Sequence, residues 1–101
     1  MRSTVSQQYA LERTLNLLAE ISMYPLRNDY IAPIDDFIAA LNQDPDIEVT
    51  TNRMSTQVYG AYDAVMNAVS AAMRRSNEQY GTVCFTCKFI PGAERSINGY
   101  Q

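Results

Sequence analysis

The stretch LNLLAEISMYP, residues 15–25, alternates along its length. Leu15, Leu17, Ala19, Ile21 and Met23 fall on one side of a period of two. Asn16, Leu18, Glu20, Ser22 and Tyr24 fall on the other. In an extended chain successive side chains point to opposite faces, so this spacing predicts a β-strand with one dry face. Pro25, which has no N–H to give a neighbouring strand, ends it.

After the strand, RNDY (27–30) reads as a loop. Pro33 suits the first turn of a helix, where a missing N–H costs nothing. Ile34, Phe37, Ile38 and Leu41 recur at i, i+3, i+4 and i+7, one helical stripe. Asp35 and Asp36 are expected near the positive end of that helix, and NQDPD (42–46) stops it. Ile47 to Asn52 is rich in β-branched residues and predicts a second strand. Arg53-Met54 is the expected turn, and Ser55 to Gly60 or Tyr62 a third strand. Asp63 is placed as N-cap of a second helix, with Val65, Ala68, Val69, Ala72 and Met73 as its apolar stripe and an end near Tyr80. Gly81 suits the C′ position. Thr82 to Ile90 predicts a fourth strand with Val83, Phe85, Cys87 and Phe89 on its dry face, stopped by Pro91-Gly92.

The order β-α-β-β-α-β predicts an α+β, ferredoxin-like sandwich. Right-handed crossovers give a four-stranded antiparallel sheet of order 4-1-3-2, with both helices on one face. A single domain is expected over 14–92, with 1–13 as a tail or short helix and 93–101 as a tail.

The 101 residues carry a net charge of −3, with 47% hydrophobic and 19% charged side chains. That composition suits one globular domain. Phosphate contacts need clustered Lys and Arg, so no nucleic-acid partner is expected, and Arg74-Arg75 reads as a solvated helix face. The apolar runs fall far short of the ~20 residues a spanning helix needs. The opening residues MRSTVSQQYALERT have no apolar core of the secretory kind. A cytoplasmic location with both cysteines reduced is therefore expected.

The second sheet face mixes Leu18, Glu20, Ser22 and Tyr24 with Cys84, Thr86, Lys88 and Ile90. It is too apolar to stand open. We expect it to pack on another subunit, with Glu20 and Lys88 as a cross-strand pair.

Catalytic signals are sparse. CFTC (84–87) has C-x-x-C spacing, but residues three apart in a strand point to opposite faces. Thiolate activation would lack its helix N-terminus. A zinc site would need more ligands than two cysteines in a chain with no histidine. That absence also removes the usual general base and excludes a serine triad. The four glycines form no phosphate loop. No cofactor and no metal are expected.

Binding is better supported. Ser22 and Tyr24 end the first strand, Asp29 and Tyr30 follow in the loop, and TTNRMSTQ (50–57) is rich in hydroxyls and amides. Strands one and three are neighbours in the expected sheet, so these groups could converge on one cleft. Aromatic walls and a few donors and acceptors suit a small, flat, polar heterocycle, and tyrosines also accept a cationic ring. The competing reading makes Tyr24 an interface residue, Asp29 a loop residue and the hydroxyls partners of turn backbone.

ISMYPL (21–26), NDY (28–30), MSTQVYG (54–60) and FIPG (89–92), in that order, resemble the YkoF-related family, ferredoxin-like proteins of the wider thiamine-binding group. The resemblance spans about Leu15 to Gly92. It implies non-enzymatic binding of thiamine or its hydroxymethylpyrimidine moiety, in uptake or salvage of the pyrimidine. It also implies units that pair through their sheets, as a homodimer or homotetramer. It places Ser22, Tyr24, Asp29, Tyr30, Ser55 and Thr56 at the pocket. Thr51 and Asn52 stand where the family often has polar or acidic residues. The name-giving members carry two such units in tandem, whereas this chain has one. Asn52 offers hydrogen bonds where an acid could pair with a protonated aminopyrimidine or a thiazolium. Of Ser55 and Thr56, the pleat lets only one face the pocket unless a bulge re-aims them.

Two other functions stay open at this point: a small dimeric α+β-barrel enzyme acting on an aromatic or quinone-like substrate, and a regulatory interaction domain. Contact with a transporter is a further open expectation, as is whether the protein delivers, buffers or senses its ligand.

Overall fold

Strand β1, Asn16–Pro25, is the spine of the sheet. It pairs antiparallel with β3 (Thr56–Ala61) on one side and β4 (Val83–Pro91) on the other. β2 (Ile47–Thr51) adds to the far edge of β3. The order β2-β3-β1-β4 is the expected 4-1-3-2 read from the opposite edge. Helix α1 (Ile31–Asn42) connects β1 to β2, and α2 (Tyr62–Tyr80) connects β3 to β4. This computed structural model describes residues 15–94. The tail or short helix expected over 1–13, and the tail beyond residue 94, lie outside them.

The register follows the alternation of β1. Ala19 lies between Val58 and Phe89, Glu20 between Gln57 and Lys88, and Ile21 between Thr56 and Cys87. Directly opposed residues share a face, so one face carries Leu17, Ala19, Ile21 and Val58. Against it α1 sets Phe37 and Leu41, and α2 sets Val65, Val69 and Ala72. Phe37 also meets Phe85 of β4 at 5.2 Å between ring centroids. Each large side chain buried here contributes roughly 1.5–3 kcal/mol.

The helix ends differ from the sequence expectation. α1 begins at Ile31, so Asp35 and Asp36 lie beyond its first turn. Asp36 instead accepts two hydrogen bonds from Arg75 of α2, Nε at 2.9 Å and Nη2 at 3.0 Å. This forked bond, and then the carboxylate's charge, raise the pKa of Arg75 above its ordinary value. Arg75 is therefore a clamp between helices, not simply a solvated side chain. α2 begins at Tyr62 with Ala61 as N-cap, and Asp63 sits in the first turn. The strand runs straight into the helix: the Tyr62 N–H donates to the Leu15 carbonyl at 2.7 Å, leaving no loop for Asp63 to cap. Asp63 still faces the positive end of the helix dipole. Gly81, at φ +85°, ends α2 as expected, its N–H donating to the Asn77 carbonyl.

Beyond β4 the chain stays attached to the sheet. The Gly92 N–H donates to the Asn16 carbonyl at 2.7 Å, and the Tyr59 hydroxyl donates to the carbonyl of buried Ala93 at 3.2 Å. Among the described residues no helix is long and apolar enough to cross a membrane.

Candidate functional site

The β2–β3 connection is built by Asn52. Its Oδ1 accepts from the N–H groups of Met54 at 2.8 Å and Ser55 at 2.9 Å, and its own N–H donates to the Ser55 carbonyl at 3.0 Å. Asparagine makes such local turns because its side chain mimics a backbone carbonyl. The turn leaves Met54 83% exposed. The Ser22 hydroxyl reaches across from β1 to the Met54 carbonyl at 3.4 Å.

Between this hairpin, the end of β1 and the first turns of α1 lies a cleft of about 120 Å3. Ile34, Phe37 and Ile38 supply apolar wall from α1, and Ser22, Thr51, Asn52, Ser55 and Thr56 supply polar groups. Those five residues, singled out from the sequence, come together here. Tyr24, Asp29 and Tyr30 do not line it. Tyr24 lies opposite Cys84 and is 54% exposed. Asp29 sits 4.0 Å from Arg27, and Tyr30 is the exposed N-cap of α1.

The pleat separates Ser55 from Thr56. Thr56 is buried opposite Ile21, on the helix-covered face. Ser55 turns to the open face, where its hydroxyl donates to Glu20 Oε2 at 3.0 Å. Gln57 Nε2 donates to Ser55 Oγ at 2.6 Å and to Glu20 Oε2 at 3.3 Å. The carboxylate thereby fixes the orientation of the amide, since a flip would turn the Gln57 oxygen toward a negative charge. Gln57 is 3% exposed, and its Oε1 has no hydrogen-bond partner among the described residues. Lys88 Nζ stands 3.9 Å from Glu20 Oε1, the expected cross-strand pair at loose range. Leu18, Glu20, Gln57, Lys88 and Ile90 line a second, shallow cavity of about 100 Å3 on this face.

Sequence reasoning marked Glu20 as the partner of Lys88 and Gln57 as one of the hairpin's amides, without bringing the two together. The signal was the alternation Ser55, Gln57, Tyr59. It gains meaning only when the register sets Gln57 beside Glu20.

The two cysteines are free, Cys84 exposed on the open face and Cys87 half-buried on the other. Burial pushes the Cys87 thiol pKa up, the opposite of what a reactive thiolate needs. Among the described residues no group of three or more His, Cys, Asp or Glu side chains gathers to hold a metal.

The model of the YKOF-related Family matches residues 17–93, from β1 to the end of the described sheet. No curated protein matches the chain. Among solved structures, a protein of Streptococcus pneumoniae is 22% identical, with a TM-score of 0.72 over 84% of this chain and 96% of that one. A hypothetical protein of Methanocaldococcus jannascii is 21% identical, with a TM-score of 0.71 over 84% and 91%. A Thermotoga maritima protein provisionally described as one of thiamine biosynthesis or salvage is 16% identical, with a TM-score of 0.66 over 73% and 81%. At these identities the likeness is one of fold.

Proposed function

The chain belongs to the YkoF-related family, and on that footing we propose that it binds thiamine, or the hydroxymethylpyrimidine half of thiamine, without transforming it, in uptake or salvage. The family and the description of the Thermotoga relative support the ligand class. The observation that carries the reading is the convergence of Ser22, Thr51, Ser55 and Thr56 over an apolar wall of Ile34, Phe37 and Ile38. A flat heteroaromatic ring needs apolar contact on its faces and donors or acceptors at its edge.

The size of the cleft limits what enters. Pockets for drug-sized ligands run to ~300–1,000 Å3, and this one holds about 120 Å3. A single ring is the natural occupant, with the rest of a longer ligand outside. Asn52 has its side-chain oxygen engaged in the turn, so its role is to shape the cleft more than to contact a ring. Asp29 and Tyr30 contribute only if the loop before α1 closes over the ligand, whereas Tyr24, inside β1 and paired with Cys84, stays on the open face.

The open sheet face, with Leu18 beside exposed Ile90, is the surface on which copies of this chain assemble. A homodimer there would set two units together as tandem members of the family do within one chain.

Calorimetric titration with thiamine and with hydroxymethylpyrimidine tests the function. Ligand at a hundred times its Kd stabilises a folded protein by about 2.7 kcal/mol, which a melting curve resolves. No heat and no melting shift at millimolar concentrations of either compound would remove this reading.

A further inference from the structure

Resting on the ligand class given under Proposed function, we propose that the hairpin cleft takes its ring as a phosphate monoester, with Arg53 receiving the phosphate at the mouth.

Arg53 alone is charged among the residues that line the cleft, and no Asp or Glu lies on its wall. The arginine is exposed, and among the described residues it makes no ion pair and no side-chain hydrogen bond. Arg27, Arg75 and Lys88 each stand within 4.0 Å of a carboxylate, so their charge is already answered. The charge of Arg53 is not. An unpaired guanidinium offers a planar fork of donors that matches the oxygens of a phosphate. A cationic ring would meet no counter-charge on this wall.

The groups next to Arg53 are donors as well. Asn52 lines the cleft, and its Oδ1 is taken up by the N–H groups of Met54 and Ser55. A flipped amide would set donor against donor, so Nδ2 is the free end, without a partner among the described residues. The backbone N–H of Arg53 also lacks an acceptor among them. A phosphate monoester presents three strong acceptor oxygens to such a set. Deeper in, Thr56 is 6% exposed, lines the cleft, and its hydroxyl has no partner among the described residues. It is the buried polar group left for the edge of a ring. One ring fills about 120 Å3, so a phosphate carried by that ring lies at the mouth, where Arg53 is. The wall from α1 sets the cleft on the helix side of the sheet, away from the face on which copies of the chain assemble.

The test is titration of hydroxymethylpyrimidine and of its phosphate monoester into the wild-type chain, Arg53→Gln and Arg53→Lys, with thermal melting to verify folding. The wild-type chain is expected to bind the ester about tenfold tighter than the free alcohol. In Arg53→Gln the two compounds should come within about twofold of each other. Arg53→Lys should keep part of the preference, since the charge remains and the fork is lost. Added salt should shrink the preference of the wild-type chain, and inorganic phosphate should compete with the ester but not with the alcohol. A wild-type chain that binds the ester no tighter than the alcohol overturns the subsite and leaves the proposed function standing. A preference that survives Arg53→Gln overturns it too. So does equal loss of both compounds in that variant, which would make Arg53 a support for the turn. Should Arg53→Gln fail to fold, salt decides, and a preference that ignores it counts against the subsite. Binding of neither compound overturns both readings.

Discussion

The two faces of the sheet are made by the same strands and do different work. Ala19 and Glu20 are neighbours in the chain. Ala19 is sealed between sheet and helices at 0% exposure, while Glu20 gathers Ser55, Gln57 and Lys88 on the other side. The covered face is built mainly from apolar side chains, with buried Thr56 at its end beside the hairpin. The open face holds a polar network of which one buried oxygen, Gln57 Oε1, lacks a described partner. The covered side has one as well, Ser76 Oγ of α2, which is fully buried and also lacks a described partner; each such group costs ~1–3 kcal/mol. The apolar packing that stabilises the domain is concentrated on the helix-covered face, and the polar side-chain network around Glu20 on the other.

The strongest way to break that division is to empty the covered face. Phe37, 2% exposed and against Phe85, should cost about 3–5 kcal/mol when replaced by alanine, read by urea denaturation. A loss under about 1 kcal/mol would mean that the helices hold the sheet less firmly than their packing indicates. Gly60→Ala tests the same face from the other direction. A Cβ at Gly60 would stand 3.0 Å from the Asp46 carbonyl oxygen and 3.5 Å from the Ile47 Cα. Both are backbone atoms that cannot turn aside, and overpacking of this kind costs about 1–3 kcal/mol. An unchanged midpoint would show that β2 shifts freely at its start.

The hairpin sharpens the comparison, because its two hydroxyl residues lie on different faces. Ser55→Ala and Thr56→Ala should each weaken ligand binding by about 1–3 kcal/mol if both hydroxyls meet a buried partner. Both should also lower the melting temperature, since Thr56 is buried against the covered face and Ser55 Oγ accepts from the buried Gln57 amide at 2.6 Å. If neither change moves affinity, the cleft is not the binding site.

The fold was legible because strand β1 states its own period. Leu17, Ala19 and Ile21 could only be buried together as one face of a strand, and the spacing of Phe37 and Leu41 supplied the matching helix. Element ends were less legible. Asp63 has the chemistry of an N-cap, but the hydrogen bond from Tyr62 to Leu15 joins residues 47 positions apart in sequence and removes the loop it would have capped. The Asp36–Arg75 clamp was hidden for the same reason, since it depends on how two helices lie side by side. At the site, hydroxyls and amides marked the hairpin, Gln57 among them, but that Gln57 meets Glu20 follows only from the strand pairing. Tyr24 and Asp29 stood out by residue type alone, and residue type does not say where a loop will turn.

The smallest expected effect uses one residue type on both faces. Cys84 is exposed, and Cys87, three residues on, packs half-buried against the core. Cys84→Ser should change stability by no more than about 0.5 kcal/mol. Cys87→Ser places a hydroxyl among apolar neighbours and should cost about 1 kcal/mol. The thiols should also part in alkaline solution. Burial raises the Cys87 pKa in the folded chain, so the unfolded chain loses that proton first as pH rises. The unfolded state then binds fewer protons than the folded one, and stability falls with pH. The contribution is intact below the ordinary thiol range and is lost as pH climbs through it toward the raised value. At a pH near the ordinary range a thiol reagent should modify Cys84 well before Cys87. Denaturation midpoints of Cys87→Ala should decline less across the same alkaline interval than those of the wild-type chain. Equal labelling rates, or an identical decline, would mean that the covered face admits solvent at β4, and that the two faces differ less than Phe37 and Leu17 suggest.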